Sequence, residues 1–357
     1  MTASPSAPAG VTSDPSAPGG SAARVRRPRR LRAVWLLASL AFLLGLTVVS
    51  LAIGSREVAW ADILAALGGS SDTLEEAAVY KRIPRTLLAV TVGGALGLSG
   101  AVMQGVTRNP LADPGILGVN MGASLAVICG IAWFGLTAPS SFIWMALLGA
   151  AATAVFVYVV GSLGRGGATP LKLALAGTAT SAAFASFITA VVLPRGDIAG
   201  GVRSWQIGGV GGASFETIRL VLPFLLVGLL VSLASARGLN SLALGDDVAA
   251  GLGQRVALTR GAAALGAVLL CGAATAVAGP IGFVGLVVPH LCRLLVGVDH
   301  RWLLPFSAVG GAALLTAADV LGRIVARPSE IDVGIITALV GAPFFIHVVR
   351  RQKVRAL

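Results

Sequence analysis

Charged side chains are scarce: Asp, Glu, Lys and Arg make up only 12% of the 357 residues, where ordinary globular chains carry about a quarter. Hydrophobic residues make up 56%, and the mean hydropathy is +0.88. A water-soluble fold of this size cannot hide so much apolar surface, so lipid must be the solvent for most of the chain. A water-soluble enzyme is excluded. Metal chemistry is equally poorly supplied. Cys129, Cys271 and Cys292 all lie inside apolar runs, which offers neither a disulfide framework nor ligand spacing. They read as small packing residues. His290, His300 and His347 are dispersed, with no H-E-x-x-H or similar pattern, and read as packing or interfacial side chains. There is no G-x-x-x-x-G-K-[ST] phosphate loop and no G-x-S-x-G elbow. The chain therefore does not itself bind and hydrolyse ATP in the usual way, and no cofactor or catalytic residue is expected.

Glycine, in contrast, is abundant, with 47 residues, which suits close helix packing in a membrane. The net charge of +12 does not point to nucleic acid, because the densest basic run, Arg24, Arg26, Arg27, Arg29, Arg30 and Arg32, sits directly before the first apolar stretch. That placement orients a membrane protein and attracts anionic lipid. Residues 1–30, Ser/Ala/Pro/Gly-rich and then Arg-rich, are expected to be a disordered cytoplasmic tail. The stretch 33–53 is longer than a secretory signal core and long enough to span, so it reads as a retained first helix.

Windows of about 20 residues place further spans near 86–106, 115–136, 142–163, 171–193, 220–236, 261–278, 279–296, 303–322 and 333–349. Gly279-Pro280 divides what would otherwise be one long run into two. Ten spans put both termini on one side. With the N-terminus inside, cytoplasmic segments hold 18 of the 27 Lys and Arg residues, as the positive-inside rule requires. The fold class expected is an all-α polytopic membrane protein, residues 31–352 forming one ten-helix domain with both ends cytoplasmic. Two segments outside the spans stand out. Residues 54–85 are external and contain the amphipathic EVAWADILAAL; residues 237–260 are cytoplasmic and look like short helices separated by Gly. The ionisable residue well inside a span is Asp319, with Arg323 four residues later on the same helical face. The two read as a self-neutralising pair near the outer mouth. Without a chain of buried carboxylates, an ion-coupled secondary transporter and an intramembrane enzyme are the weaker alternatives.

Three stretches carry a resemblance. RIPRTLLAVTVGGALGLSGAVMQGVTRNPLADPGILGVN (82–120), SLALGDDVAAGLG (241–253), and GPIGFVGLVVPHLCRLLVGVDHRWLLP (279–305) with IITALVGAPFF (335–345) resemble the permeases of iron–siderophore and cobalamin ABC importers. The likeness covers about 31–352. It implies a multi-pass cell-membrane permease paired with a second permease chain, identical or similar, around a central path. ABC ATPase subunits would sit on the cytoplasmic face and an extracytoplasmic binding protein would deliver substrate. Iron(III)–siderophore is the expected cargo, with cobalamin or haem as alternatives.

The resemblance also implies residue roles. Gly245, Asp246, Asp247, Ala250, Leu252 and Gly253 would form the ATPase-docking loop. Arg82, Arg85 and Arg323, on the outer side where the positive-inside trend disfavours them, would meet acidic residues of the binding protein. Thr178, Thr180, Ser181, Ser186 and Thr189 would line the pathway, and Thr169, Pro170 and Leu171 would form the inner gate. Asn109, Pro110, Asp113, Pro114 and Gly115 read as a structural turn.

Overall fold

A computed structural model describes residues 28–54, 58–70, 72–164 and 169–353. The expected tail, apart from its last three residues, lies outside them. The described residues contain fourteen α-helices and no strand: α1 (Arg29–Ala52), α2 (Trp60–Leu67), α3 (Leu74–Thr107), α4 (Val119–Phe134), α5 (Pro139–Ser162), α6 (Pro170–Val192), α7 (Gly196–Ile207), α8 (Phe215–Ala234), α9 (Ala236–Leu242), α10 (Asp246–Gly251), α11 (Val256–Ala278), α12 (Val284–Val296), α13 (His300–Val325) and α14 (Val333–Lys353). A 3-10 turn, Pro114–Leu117, precedes α4.

Ten of these coincide with the ten expected spans. Seven are long and apolar enough to cross a bilayer; α4, α12 and the apolar part of α14 are shorter. At 13 residues α12 extends only about 20 Å, less than the roughly 30 Å hydrocarbon layer. Most of it is buried in the protein, and irregular backbone at membrane depth is tolerated only under such cover. The break before it is wider than a tight turn. Gly279 and Phe283 both have positive φ, at 69° and 68°, and α12 starts at Val284.

The core forms around α3, which packs most closely against α13 and also against α11 and α12. Small residues make that approach possible. A Cβ built on Gly97 would stand 2.2 Å from the Ser307 carbonyl oxygen, and one on Gly311 would stand 2.1 Å from that of Gly93. Both helices therefore touch through bare backbone, the packing mode expected where the surrounding lipid is as apolar as the interface. Helix α1 lies at the other extreme. Leu37, Phe42 and Leu44 are largely exposed, as a lipid-facing helix requires.

Two helices depart from the sequence reading. Helix α3 begins at Leu74, about a dozen residues before the expected span. Thr73 caps it, accepting from the Glu76 amide at 3.1 Å, while the Glu76 carboxylate reaches back to the amides of Asp72 and Thr73. This is the S/T-x-x-E start signal, hidden from a hydropathy window by Glu75, Glu76, Lys81, Arg82 and Arg85. Helix α7 lies where only a connection was expected. Three of its twelve residues are glycine, which gives it poor intrinsic propensity. Tertiary bonds hold its end: the Gly209 amide donates to the Ala278 carbonyl at 2.8 Å and the Gly334 amide to the Gly208 carbonyl at 2.9 Å.

Candidate functional site: a tethered cytoplasmic helix and an outer arginine cluster

On the cytoplasmic side, the segment between α8 and α11 folds into the short helices α9 and α10. Gly245 separates them with φ 112° and ψ 154°, backbone that an L side chain rarely adopts. Asp246 and Asp247 occupy the first turn of α10, where carboxylates oppose the positive end of the helix dipole. Asp246 does more than favour the helix. It accepts from Arg260 Nη2 at 2.9 and 3.2 Å and also from Arg108 Nη2. Arg260 belongs to α11, and Arg108 is the left-handed C-cap of α3. One carboxylate thus ties the short helix to two membrane-spanning ones.

The other face of the segment is bare. Ala249 is fully buried, whereas Leu244, Val248 and Leu252 are 61%, 51% and 63% exposed. Asp247, Ala250 and Gly253 are exposed beside them. Of the six expected docking residues, Asp247, Ala250, Leu252 and Gly253 line this surface, with Gly245 as hinge and Asp246 as tether. Leu244 and Val248 join it; their helical spacing within 237–260 was the available signal.

A second tie anchors α9. Asn240 Nδ2 donates to Asp299 Oδ1 at 2.7 Å, and Asn240 Oδ1 accepts from the His300 amide and lies 2.9 Å from His300 Nδ1. Asp299 caps α13 through the Arg301 amide and lies 3.8 Å from Arg32 of α1. Burial would raise the Asp299 carboxyl, but the Asn240 amide, the Arg301 N–H and the charges of Arg301 and Arg32 outweigh it and hold the group below its ordinary range.

On the outer side the three expected arginines come together, and they point inward. Arg82 Nη1 donates to the carbonyls of Leu51 and Ala52 at 3.0 and 3.1 Å. Arg323 Nη1 donates to Ser50 and Ile53 carbonyls at 2.8 and 3.0 Å, and its Nη2 to Ser50 Oγ at 2.6 Å. Arg327 Nη2 reaches the Gly54 carbonyl at 2.6 Å. The Ser50, Leu51 and Ala52 acceptors are the last carbonyls of α1, which have no partner within the helix and carry the negative end of its dipole, and Ile53 and Gly54 follow directly. The arginines supply both missing donors and opposite charge. Arg85 bonds Asp319 through Nε at 2.9 Å and Glu330 through Nη1 at 2.5 Å. Asp319 also pairs with Arg323 Nη2 at 2.9 Å, the expected pair with Arg85 as a third member. Arg82 and Arg323 are buried; Arg85 reaches the surface beside the partly exposed Glu330.

The five hydroxyl residues of α6 divide. Thr178, Ser186 and Thr189 lie on the exposed face, Ser181 is half-buried and Thr180 is buried. Thr178, Thr180, Ser186 and Thr189 each donate to the carbonyl four residues earlier, at 2.7–3.0 Å. Their donors are spent within the helix, so the exposed stripe is weakly polar and uncharged. At its cytoplasmic end Thr169 caps α6 through the Lys172 amide, Pro170 takes the first helical position, and Leu171 is 70% exposed. Among the described residues, no group of three or more His, Cys, Asp or Glu side chains is placed to hold a metal ion.

Residues 42–351 match the model of the FecCD transport family. The chain is 42% identical over 322 residues to the ferric enterobactin transport system permease protein of Escherichia coli (strain K12), covering 90% of this chain and 96% of that one. It is 40% identical over 331 residues to the Fe(3+)-citrate import system permease protein of Bacillus subtilis (strain 168), covering 92% and 97%. Among solved structures, a metal-chelate type ABC transporter in an inward-facing conformation superposes with TM-score 0.76 at 28% identity, over 89% of this chain and 99% of that one. The chain is a multi-pass inner-membrane protein and belongs to the FecCD transport family.

Proposed function

We propose that this chain is the permease subunit of a binding-protein-dependent ABC importer that carries iron(III)–siderophore complexes, driven by ATP hydrolysed on a separate subunit. The observation that carries the reading is the tethered helix α10. Its apolar face is open toward the cytoplasm, while Asp246 connects it to α3 and α11. A partner that pushes on Leu244, Val248 and Leu252 therefore moves membrane-spanning helices. Bulk cargo suits the uncharged stripe Thr178–Thr189, which offers no fixed charge to which a chelate would adhere.

A second permease chain would complete the pathway. Helix α14 exposes Ile335, Leu339, Val340 and Ile346, and α6 exposes its hydroxyl stripe beside Leu171 and Leu175. Thr169, Pro170 and Leu171 stand at the cytoplasmic end of that stripe, as an inner gate should. On the outer face, Arg85 and Glu330 form the accessible part of the docking platform for a binding protein, and Arg82 and Arg323 hold the end of α1 beneath it. The test is uptake of radiolabelled iron(III)–siderophores under iron limitation, with and without the gene. Loss of uptake for one siderophore, restored by the gene, supports the reading. Intact iron uptake with lost cobalamin or haem uptake would keep the machine and change its cargo.

A further inference from the structure

A cavity of about 930 Å³ opens between α3, α5, α11 and the start of α6, at the upper end of the roughly 300–1,000 Å³ typical of ligand pockets. Its wall is largely aliphatic: Met103, Ala154, Tyr158, Ala264, Leu265 and Val268 contribute. Its cytoplasmic end is different, formed by Arg108, Asp246 and Arg260. Along α11 the lining runs from Val256 to Val268, about 18 Å of helix. That is close to the depth of one leaflet, half of a hydrocarbon layer about 30 Å thick. The polar mouth lies at the cytoplasmic ends of α3 and α11, the level of the inner headgroups.

The mouth is electrically incomplete. Two guanidinium groups share the single Asp246 carboxylate, so one positive charge is in excess. The Arg260 Nε is buried and has no hydrogen-bond acceptor, although a guanidinium carries five donors and an unmet buried donor is costly. A phosphodiester supplies both the missing charge and the acceptor oxygens. We infer that this cavity holds an anionic phospholipid of the cytoplasmic leaflet, with its phosphate at Arg108 and Arg260 and one acyl chain along Ala154, Ala264 and Val268. A zwitterionic headgroup fits less well, because it brings a cation to a mouth already positive. Since Asp246 belongs to the same cluster, the lipid and the docking helix compete for the same guanidiniums. Inner-leaflet composition would then bias how firmly α10 is tethered. The inference does not depend on the identity of the cargo.

The test uses the full chain reconstituted in vesicles of equal parts phosphatidylglycerol and phosphatidylcholine. The protein is extracted in mild detergent and its retained lipid counted by native mass spectrometry. Retention of phosphatidylglycerol over phosphatidylcholine by about fivefold is expected from one excess positive charge near the surface. Arg108→Gln with Arg260→Gln should bring the ratio to about one, and Ala264→Phe should lower retention of both lipids by closing the cavity. Asp246→Asn should raise retention, an effect that a purely structural role for the arginines does not produce. Equal retention of the two lipids by the unaltered chain would overturn the inference, and needs no variant to fold. So would full displacement by millimolar inorganic phosphate, which would indicate an anion site without lipid. Displacement by micromolar iron–siderophore would assign the cavity to the cargo instead.

Discussion

Arg323 and Ser50, 273 positions apart, are joined by two hydrogen bonds: Nη1 to the Ser50 carbonyl at 2.8 Å and Nη2 to its hydroxyl at 2.6 Å. This link closes the first spanning helix onto the ninth and explains why an arginine is tolerated on the outer side. Its charge answers the C-terminal end of the α1 dipole and the Asp319 carboxylate.

Asp319 should therefore matter far more for stability than for any contact with a partner. Its carboxylate faces two guanidiniums at 2.8 and 2.9 Å and is almost wholly buried. Removing one member of such a group leaves the others uncompensated, a cost of about 3–5 kcal/mol. Asp319→Asn should sharply lower the thermal unfolding midpoint in detergent. Asp246→Asn, at a much more exposed site, should lower it only slightly, by about 0–1 kcal/mol. Equal loss in both variants would mean that the deeper burial of Asp319 does not set its contribution apart from that of Asp246.

Gly97→Ala should destabilise the α3–α13 crossing by about 1–3 kcal/mol, because the new Cβ meets the Ser307 carbonyl oxygen at 2.2 Å and both partners are backbone-rigid. Gly45→Ala in α1, where nothing lies within 4 Å, serves as the control and should be neutral or slightly stabilising. Circular dichroism melts of the two purified variants make the comparison.

The Asp299 tie is expected to be acid-sensitive. A carboxyl held below its ordinary range contributes stability above the unfolded value, near about 3.9, and loses it as pH falls through the folded value. Asp299→Asn should lower the unfolding midpoint at neutral pH, with the difference from the unaltered chain shrinking below about pH 4. A difference that stays constant from pH 7 to pH 3.5 would show that the charge at Asp299 has no part in it.

Under the proposed function Arg85 is the outer arginine that meets a binding protein, so Arg85→Gln, which leaves Asp319 its pair with Arg323, should weaken binding-protein docking. The loss should be larger at about 0.01 M salt than at 0.15 M, because the screening length falls from roughly 30 Å to 8 Å. Surface plasmon resonance with the immobilised permease measures it; an affinity independent of this substitution would restrict Arg85 to holding Asp319.

Much of this was legible in the sequence. Ten apolar windows located ten of the fourteen helices, and the Leu/Ala/Val spacing within 237–260 announced α9 and α10. Asp319 and Arg323 paired as their i,i+4 spacing implies. The start of α3 escaped because its charged first turns resemble a loop to any hydropathy window, although Thr73 and Glu76 were a readable cap. Helix α7 escaped because glycine lowers its propensity and its stability comes from Ala278 and Gly334, far along the chain. The inward use of Arg82 and Arg323 could not be read at all: their acceptors are backbone carbonyls at the end of α1, and a carbonyl has no signature in sequence. The same holds for the Asp246 tether, whose partners Arg108 and Arg260 meet only once α3 and α11 are packed.

The most direct test of ATPase-driven transport through α10 is co-purification of the ATPase subunits with the Val248→Asp, Leu252→Asp double variant. These two side chains are exposed and do not anchor the fold, so the permease should remain folded and monodisperse while ATPase association falls by at least about tenfold, as expected when apolar anchors of an interface are lost. Undiminished association with the folded variant would contradict the assignment of this face as the site where the ATPase drives the permease.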